Sequence, residues 1–234
     1  MPKKYYESEA ESLFSDLERQ NDVEYVIKSI RPAHGGLEYT IHLPFDRFTV
    51  TAADFRRIGE DILFEGNSID GDIFEELYFS NEKLSCIQKS LKHLEYGPLS
   101  ERKLKMKLHG KFSKEAIEAS LEILKENGYI DDMTLAKDYC EEYFVNCQMS
   151  PAKIKAKLFQ KGFDRETVSV IFDEYDFSEE MIYENMEIIV SRKFGKSFWE
   201  DFEENQEIRR KALEFLIRQG YSYDDASGFI RVER

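Results

Sequence analysis

Between residues 22 and 50 apolar and polar side chains alternate, whereas beyond about residue 72 apolar residues recur every three to four positions. A period of two marks a strand with one buried face; a period near 3.6 marks an amphipathic helix. In the first region VEYVIKSI is rich in β-branched and aromatic residues, and Pro32 to Gly36 form a turn cluster. LEYTIHL then sets Leu37, Tyr39, Ile41 and Leu43 on one face and Glu38, Thr40 and His42 on the other. Pro44-Phe45-Asp46 makes a second turn before RFTV. These features predict a three-stranded antiparallel meander. Thr51-Ala52-Ala53-Asp54 reads as a capping box for a short helix ending near Gly59, followed by a loop with Gly66, Asn67 and Gly71.

The rest of the chain reads as helices alone. Gly97, Gly128, Gly162 and Gly220 close helical patterns, as C-terminal glycines do. Ser100, Ser113, Asp132, Ser150 (with Pro151 behind it), Asp164, Ser178 and Ser222 are the matching N-cap candidates. Three segments, 99–124, 149–175 and 207–230, can be superposed in sequence. Each has a basic amphipathic helix ending at Leu108, Leu158 or Leu216, a turn with an aromatic (Phe112, Phe163 or Tyr221), a polar cap and a second helix. With one further helix in front, the unit is three helices long. Such a unit buries its apolar stripe only by stacking on its neighbour. The predicted fold is therefore mostly α, with tandem three-helix-bundle repeats in an elongated curved array behind a small antiparallel β-rich N-terminal domain. The boundaries expected are an acidic helix or arm over 1–20, the β-rich domain over 21–71, and repeats over 72–131, 132–177 and 178–234.

Charge follows the repeat. The 234 residues hold 33 Lys and Arg against 47 Asp and Glu, a formal net charge of −14. That total argues against a protein that coats nucleic acid, because phosphate binding needs clustered cations. Yet the basic residues collect on the first helix of each segment, for example Lys103 and Lys107, Lys153 and Lys157, Arg209 and Arg210. A charge run on one helix is ordinarily a solvated face. Recurrence at one repeat position makes these six residues candidates for a partner-binding surface.

Catalytic and metal-binding patterns are missing from the sequence. Phe194-Gly195-Lys196-Ser197 ends like a phosphate loop, but Val190 stands where its first glycine is needed and the residues before it are helical in pattern. His34, His42, His93 and His109 are scattered, without metal-ligand spacing. Cys86, Cys140 and Cys147 are odd in number and form no Cys-x-x-Cys pair, so reduced thiols in a cytoplasmic protein are expected, with Cys140 and Cys147 buried on one helical face. No stretch approaches the roughly 18 apolar residues of a membrane span. The expectation is a non-enzyme with no cofactor, metal or small-molecule substrate. It is expected to be a monomer, since no sustained heptad is present.

Three elements, in order, carry a family resemblance. Gly128-Tyr129-Ile130-Asp131-Asp132, followed by Leu135, Ala136 and Tyr139, resembles the signature of the RecX family of recombinase regulators. Lys155 to Phe163 resembles that family's element of a Leu, two further residues and a Lys-Gly-apolar turn, and Arg210 to Tyr223 its C-terminal element of Phe-Leu, an Arg, and Gly-aromatic-Ser. The match covers about residues 80–234, and the strand-rich start resembles the extension of some Gram-positive members. The first repeat departs by a turn one residue shorter, His109-Gly110-Lys111-Phe112. The motif glycines Gly128, Gly162 and Gly220, with Asp131 and Asp132, read as structural hinges, Tyr129 and Ile130 as core residues, and a valine at Gly128 as damaging. The resemblance implies a regulator that binds the RecA recombinase, free and as a filament on DNA. It would lie in the filament groove and suppress strand exchange, ATP hydrolysis and co-protease activity, with DNA contact secondary. Without the resemblance, a stand-alone helix-turn-helix DNA-binding regulator and a helical scaffold for another protein both remain open.

Overall fold

The computed structural model describes residues 25–195 and 206–231. The acidic arm read over residues 1–20, and Lys196 and Ser197 of the phosphate-loop-like tail, lie outside them. The chain divides into two compact units. One holds the described residues up to His93 together with Leu108–Leu124; the other holds Leu94–Lys107 and the described residues from Lys125 onward.

The first unit contains β1 (Tyr25–Val26), β2 (Ser29–Ala33), β3 (Glu38–His42), β4 (Arg47–Thr51), α1 (Ala52–Ile58), β5 (Ser68–Ile69) and α2 (Gly71–Leu94). Strands β2, β3 and β4 form the antiparallel meander, with Ile30 opposite Ile41 and Ile41 opposite Phe48. The segment read as one initial strand is broken. Tyr25 pairs instead with Ile69 of β5, a strand inside the stretch expected to be loop. Pro32 and Ala33, assigned to the turn, belong to β2. Proline fits there because β2 is an edge strand and needs no amide donor at that position. Both outer edges are met by side chains: the Ile30 amide donates to Glu65 and the Thr49 amide to Asn81 of α2. Capped edges of this kind resist pairing with another chain.

Ile27, Ile41, Phe48, Val50, Phe55, Ile58, Leu63, Ile69 and Leu77 make this unit's core, bordered by stacks of Tyr25 on Phe74 and Tyr39 on Phe55. Leu37, placed by the alternation on the buried face, is exposed because it follows the left-handed run His34, Gly35, Gly36 and precedes β3. Thr51 caps α1 as the sequence indicated, accepting from the Asp54 amide at 3.0 Å while its hydroxyl donates to Asp54. The Asp54 carboxylate is buried and meets Lys83 Nζ at 2.9 Å and Arg57, which also reaches Glu76. Burial raises its pKa, but the bonds from Lys83 and Thr51 and the charges of Lys83 and Arg57 outweigh that and hold it below the usual carboxylate range. The helix α4 (Lys114–Glu126) docks on α2 through Ser113, whose amide and hydroxyl donate to the two oxygens of Glu82.

The second unit holds all but the last residue of α3 (Glu101–Leu108), then α5 (Asp132–Glu141), a π-helical turn over Glu142–Asn146, α6 (Pro151–Lys161), α7 (Arg165–Glu174), α8 (Glu179–Phe194), α9 (Gln206–Arg218) and α10 (Tyr223–Arg231). The caps explain the boundaries. Asp131, Ser150, Asp164 and Ser178 each accept the amide three residues on. Asp131, not Asp132, therefore opens α5. Gly162 and Gly220 end α6 and α9 in the left-handed region, and the next amide, Phe163 or Tyr221, reaches back to Leu158 or Leu216. One core runs through the unit. In it Ile154, Leu158 and Phe163 of one repeat recur as Ala212, Leu216 and Tyr221 of the next, all buried. Among the described residues beyond 72 the only ladder contact is a single bridge, His109 to Phe112.

Candidate functional site

The six candidate cations lie on α3, α6 and α9 of one unit. Each helix buries one stripe, Leu104 and Leu108, Ile154 and Leu158, or Ala212 and Leu216, which fixes where the cations fall. Lys107, Lys157 and Arg210 are exposed; Lys103, Lys153 and Arg209 are half-buried. Arg210 is engaged on its own helix with Glu214 at 3.3 Å. Lys107 and Lys157 make no ion pair among the described residues and remain open to a partner.

Lys103 and Lys153 have a further place in the structure: they belong to a joint that occurs twice. Ser100 Oγ donates to the Lys161 carbonyl at 2.6 Å, and Gly162 lies so close that a Cβ there would stand 2.7 Å from Ser100 Oγ and 3.2 Å from Lys103 Cγ. Ser150 Oγ donates to the Gln219 carbonyl at 2.9 Å, and a Cβ on Gly220 would stand 2.8 Å from Ser150 Oγ and 3.3 Å from Lys153 Cγ. Each serine also caps its own helix. Gly162 and Gly220 are therefore glycine for two reasons, a left-handed backbone and close approach. Gly128, at φ 73°, has the first reason only, since nothing lies within 4 Å of its Cβ position. At the first joint the Glu101 amide donates to Asp132 Oδ1 at 2.9 Å. At the second, Pro151 has no amide to satisfy. Burial, then the nearby charges of Glu101, Asp164 and Asp131, push the Asp132 carboxyl above its usual pKa despite that bond.

Ile130 is buried, but Tyr129 is 58% exposed, contrary to the expectation that both enter the core. Tyr139 is half-buried, stacks on Tyr143 and carries Lys161 Nζ over its ring at 4.1 Å. Cys86 and Cys140 are buried, and burial followed by the Glu141 charge pushes the Cys140 thiol up to about 11. Cys147 is exposed, against expectation, because the π-helical turn holds an extra residue and shifts the chain out of the α5 register.

Cys147 borders a groove of about 410 Å³ with Gln148, Met149, Lys153, Ile189, Arg192, Lys193, Phe215 and Gln219. Arg192 and Lys193 were not singled out in the sequence because they end a helix preceded by the acid-rich stretch 173–187. The available signal was their place in the last turn of α8. No group of three His, Cys, Asp or Glu among the described residues is placed to hold a metal, and no described helix is long and apolar enough to cross a membrane.

A regulatory protein RecX of Finegoldia magna is 30% identical over 164 residues, which span 68% of this chain and 76% of that protein. The chain belongs to the RecX family. The RecX of Clostridioides difficile is 26% identical over 162 residues, 69% of this chain and 74% of its own length. A crystal structure of a regulatory protein RecX superposes with a TM-score of 0.66 at 19% identity, covering 87% of this chain and 97% of its own, which establishes the mostly helical fold. No family model matches the chain.

Proposed function

We propose that the chain regulates a RecA-type recombinase by binding its filament on DNA and inhibiting strand exchange, ATP hydrolysis and co-protease activity, without chemistry of its own. Membership of a family of regulatory proteins carries the reading. The recurrence of cations on α3, α6 and α9 supports a contact surface made by Lys103, Lys107, Lys153, Lys157, Arg209 and Arg210. Lys107 and Lys157 are the best placed, being exposed and outside the joints. The protein works as a cytoplasmic monomer, and any DNA contact is secondary to the protein contact. Charge–charge contacts of this kind weaken as salt rises, since screening shortens to ~8 Å at 0.15 M.

The test is recombinase-catalysed ATP hydrolysis on single-stranded DNA titrated with this protein. Hydrolysis should fall with added protein. Lys107→Glu with Lys157→Glu should slow association and leave the melting temperature in place. Unchanged hydrolysis at saturating protein, or tight binding to DNA alone, would overturn the reading.

A further inference from the structure

Three cations from two helices border the groove at the second joint: Lys153 of α6, and Arg192 and Lys193 of α8. None is paired with a carboxylate among the described residues. Lys153 Nζ donates to Gln219 Oε1 at 2.6 Å and Arg192 to Gln148 Oε1 at 3.1 Å. Both acceptors are neutral amides, which orient a cation without cancelling its charge. The contrast is with Lys83, Lys125 and Lys211, each of which sits on an acid. In a chain of net charge −14, three cations around one concavity, with no carboxylate partner among the described residues, form a local positive field.

The walls are held firmly. Gln148 takes a left-handed backbone, φ 47°, directly after the π-helical turn. Its carbonyl accepts from Tyr221 Oη at 3.2 Å and its side-chain amide donates to the Val145 carbonyl at 2.6 Å. A strained non-glycine residue held from several sides is a feature of built sites. Met149, Ile189 and Phe215 supply an apolar lining beneath the cations.

We infer that this groove binds an acidic peptide segment that carries one apolar side chain, the apolar group entering among Met149, Ile189 and Phe215 while flanking carboxylates meet Lys153, Arg192 and Lys193. One feature favours a peptide over a nucleic-acid backbone: a phosphodiester chain has no apolar group for the lining by Met149, Ile189 and Phe215. The inference deepens the proposed function, in that such a segment on the recombinase would be the element recognised. It rests on that reading only for the partner's identity, not for the groove.

The test uses the full chain and a fluorescein-labelled acidic heptapeptide with a central phenylalanine, read by anisotropy without recombinase. Lys193→Glu, which breaks no described bond, should raise Kd at least about tenfold, as reversal of a contacting charge does. Lys92→Glu with Lys111→Glu, exposed and not among the groove's lining residues, should change it less than about twofold, since exposed charges that touch no ligand act only through screened solvent. Replacing the central phenylalanine by asparagine should also weaken binding about tenfold, as loss of a buried anchor does. Equal binding of the two peptides, equal loss in the Lys92/Lys111 variant, or stronger competition from oligothymidylate of equal charge would overturn the inference. Peptide binding together with an unaffected recombinase would instead refute the proposed partner and leave the groove assignment standing.

Discussion

Alanine at Gly162 tests whether the joint is a close contact or only a turn. At φ 100° an alanine pays roughly 1 kcal/mol for left-handed backbone. Its Cβ would also stand 2.7 Å from Ser100 Oγ and 3.2 Å from Lys103 Cγ. Ser100 is buried and cannot give way without losing its 2.6 Å bond to the Lys161 carbonyl. Leaving that carbonyl unsatisfied costs about 2 kcal/mol more. The sum, about 3 kcal/mol, corresponds to a fall of roughly 6–12 °C in Tm for a chain of this size. Gly128→Ala is the internal control: φ is 73° and the space is open, so only about 1 kcal/mol should be lost. Thermal melts followed by circular dichroism at 222 nm compare them. A double-mutant cycle sharpens the comparison, because Ser100→Ala added to Gly162→Ala should cost about 1 kcal/mol less than it does alone. Equal melting temperatures for the two glycine variants, or strict additivity in the cycle, would refute the close-contact account.

Three other outcomes are expected. Asp132→Asn keeps the acceptor for the Glu101 amide and removes a carboxylate whose folded pKa is raised, so it should stabilise at pH 7; because a raised carboxyl pKa lowers stability as pH rises through it, the gain should vanish below the unfolded value near 3.8, whereas Asp132→Ala should lose about 1 kcal/mol at pH 7, and urea melts at both pH values check this. Asp54 has the opposite sign: its lowered pKa gives stability that is present above the unfolded value and disappears as pH falls through the folded one, and Lys83→Met, which leaves the buried carboxylate with Arg57 and Thr51, should cost about 3 kcal/mol in the same melts at pH 7. Titration with a thiol-specific reagent should show one fast thiol, Cys147, in the native protein and the remaining two only on unfolding; three fast thiols would contradict the burial of Cys86 and Cys140.

What could be read from the chain was local. Thr51, Ser150, Asp164 and Ser178 sit beside the amides they cap, and the alternation around Ile41 is written in adjacent residues. What could not be read was long-range. Ser100 meets a carbonyl 61 residues on, and Ser150 one 69 residues on. Both serines were recognised as caps, but nothing beside them names the distant acceptor. The two-residue strand β5 was illegible because its partner, Tyr25, lies over 40 residues away and two residues establish no period. Cys147 is exposed rather than buried because a π-helical turn shifts the register that a 3.6-residue pattern assumes. The candidate groove was missed for a related reason: Lys153 belonged to a basic segment, while Arg192 and Lys193 followed an acidic one, and only the folded backbone brings them together.

A fastening that uses one hydroxyl and one missing side chain asks very little of evolution. A helical module whose first helix begins with serine can accept a successor whose first helix stops at glycine. Such a chain can lengthen or diversify by duplication with its connectors already in place, and its working surfaces are free to specialise module by module.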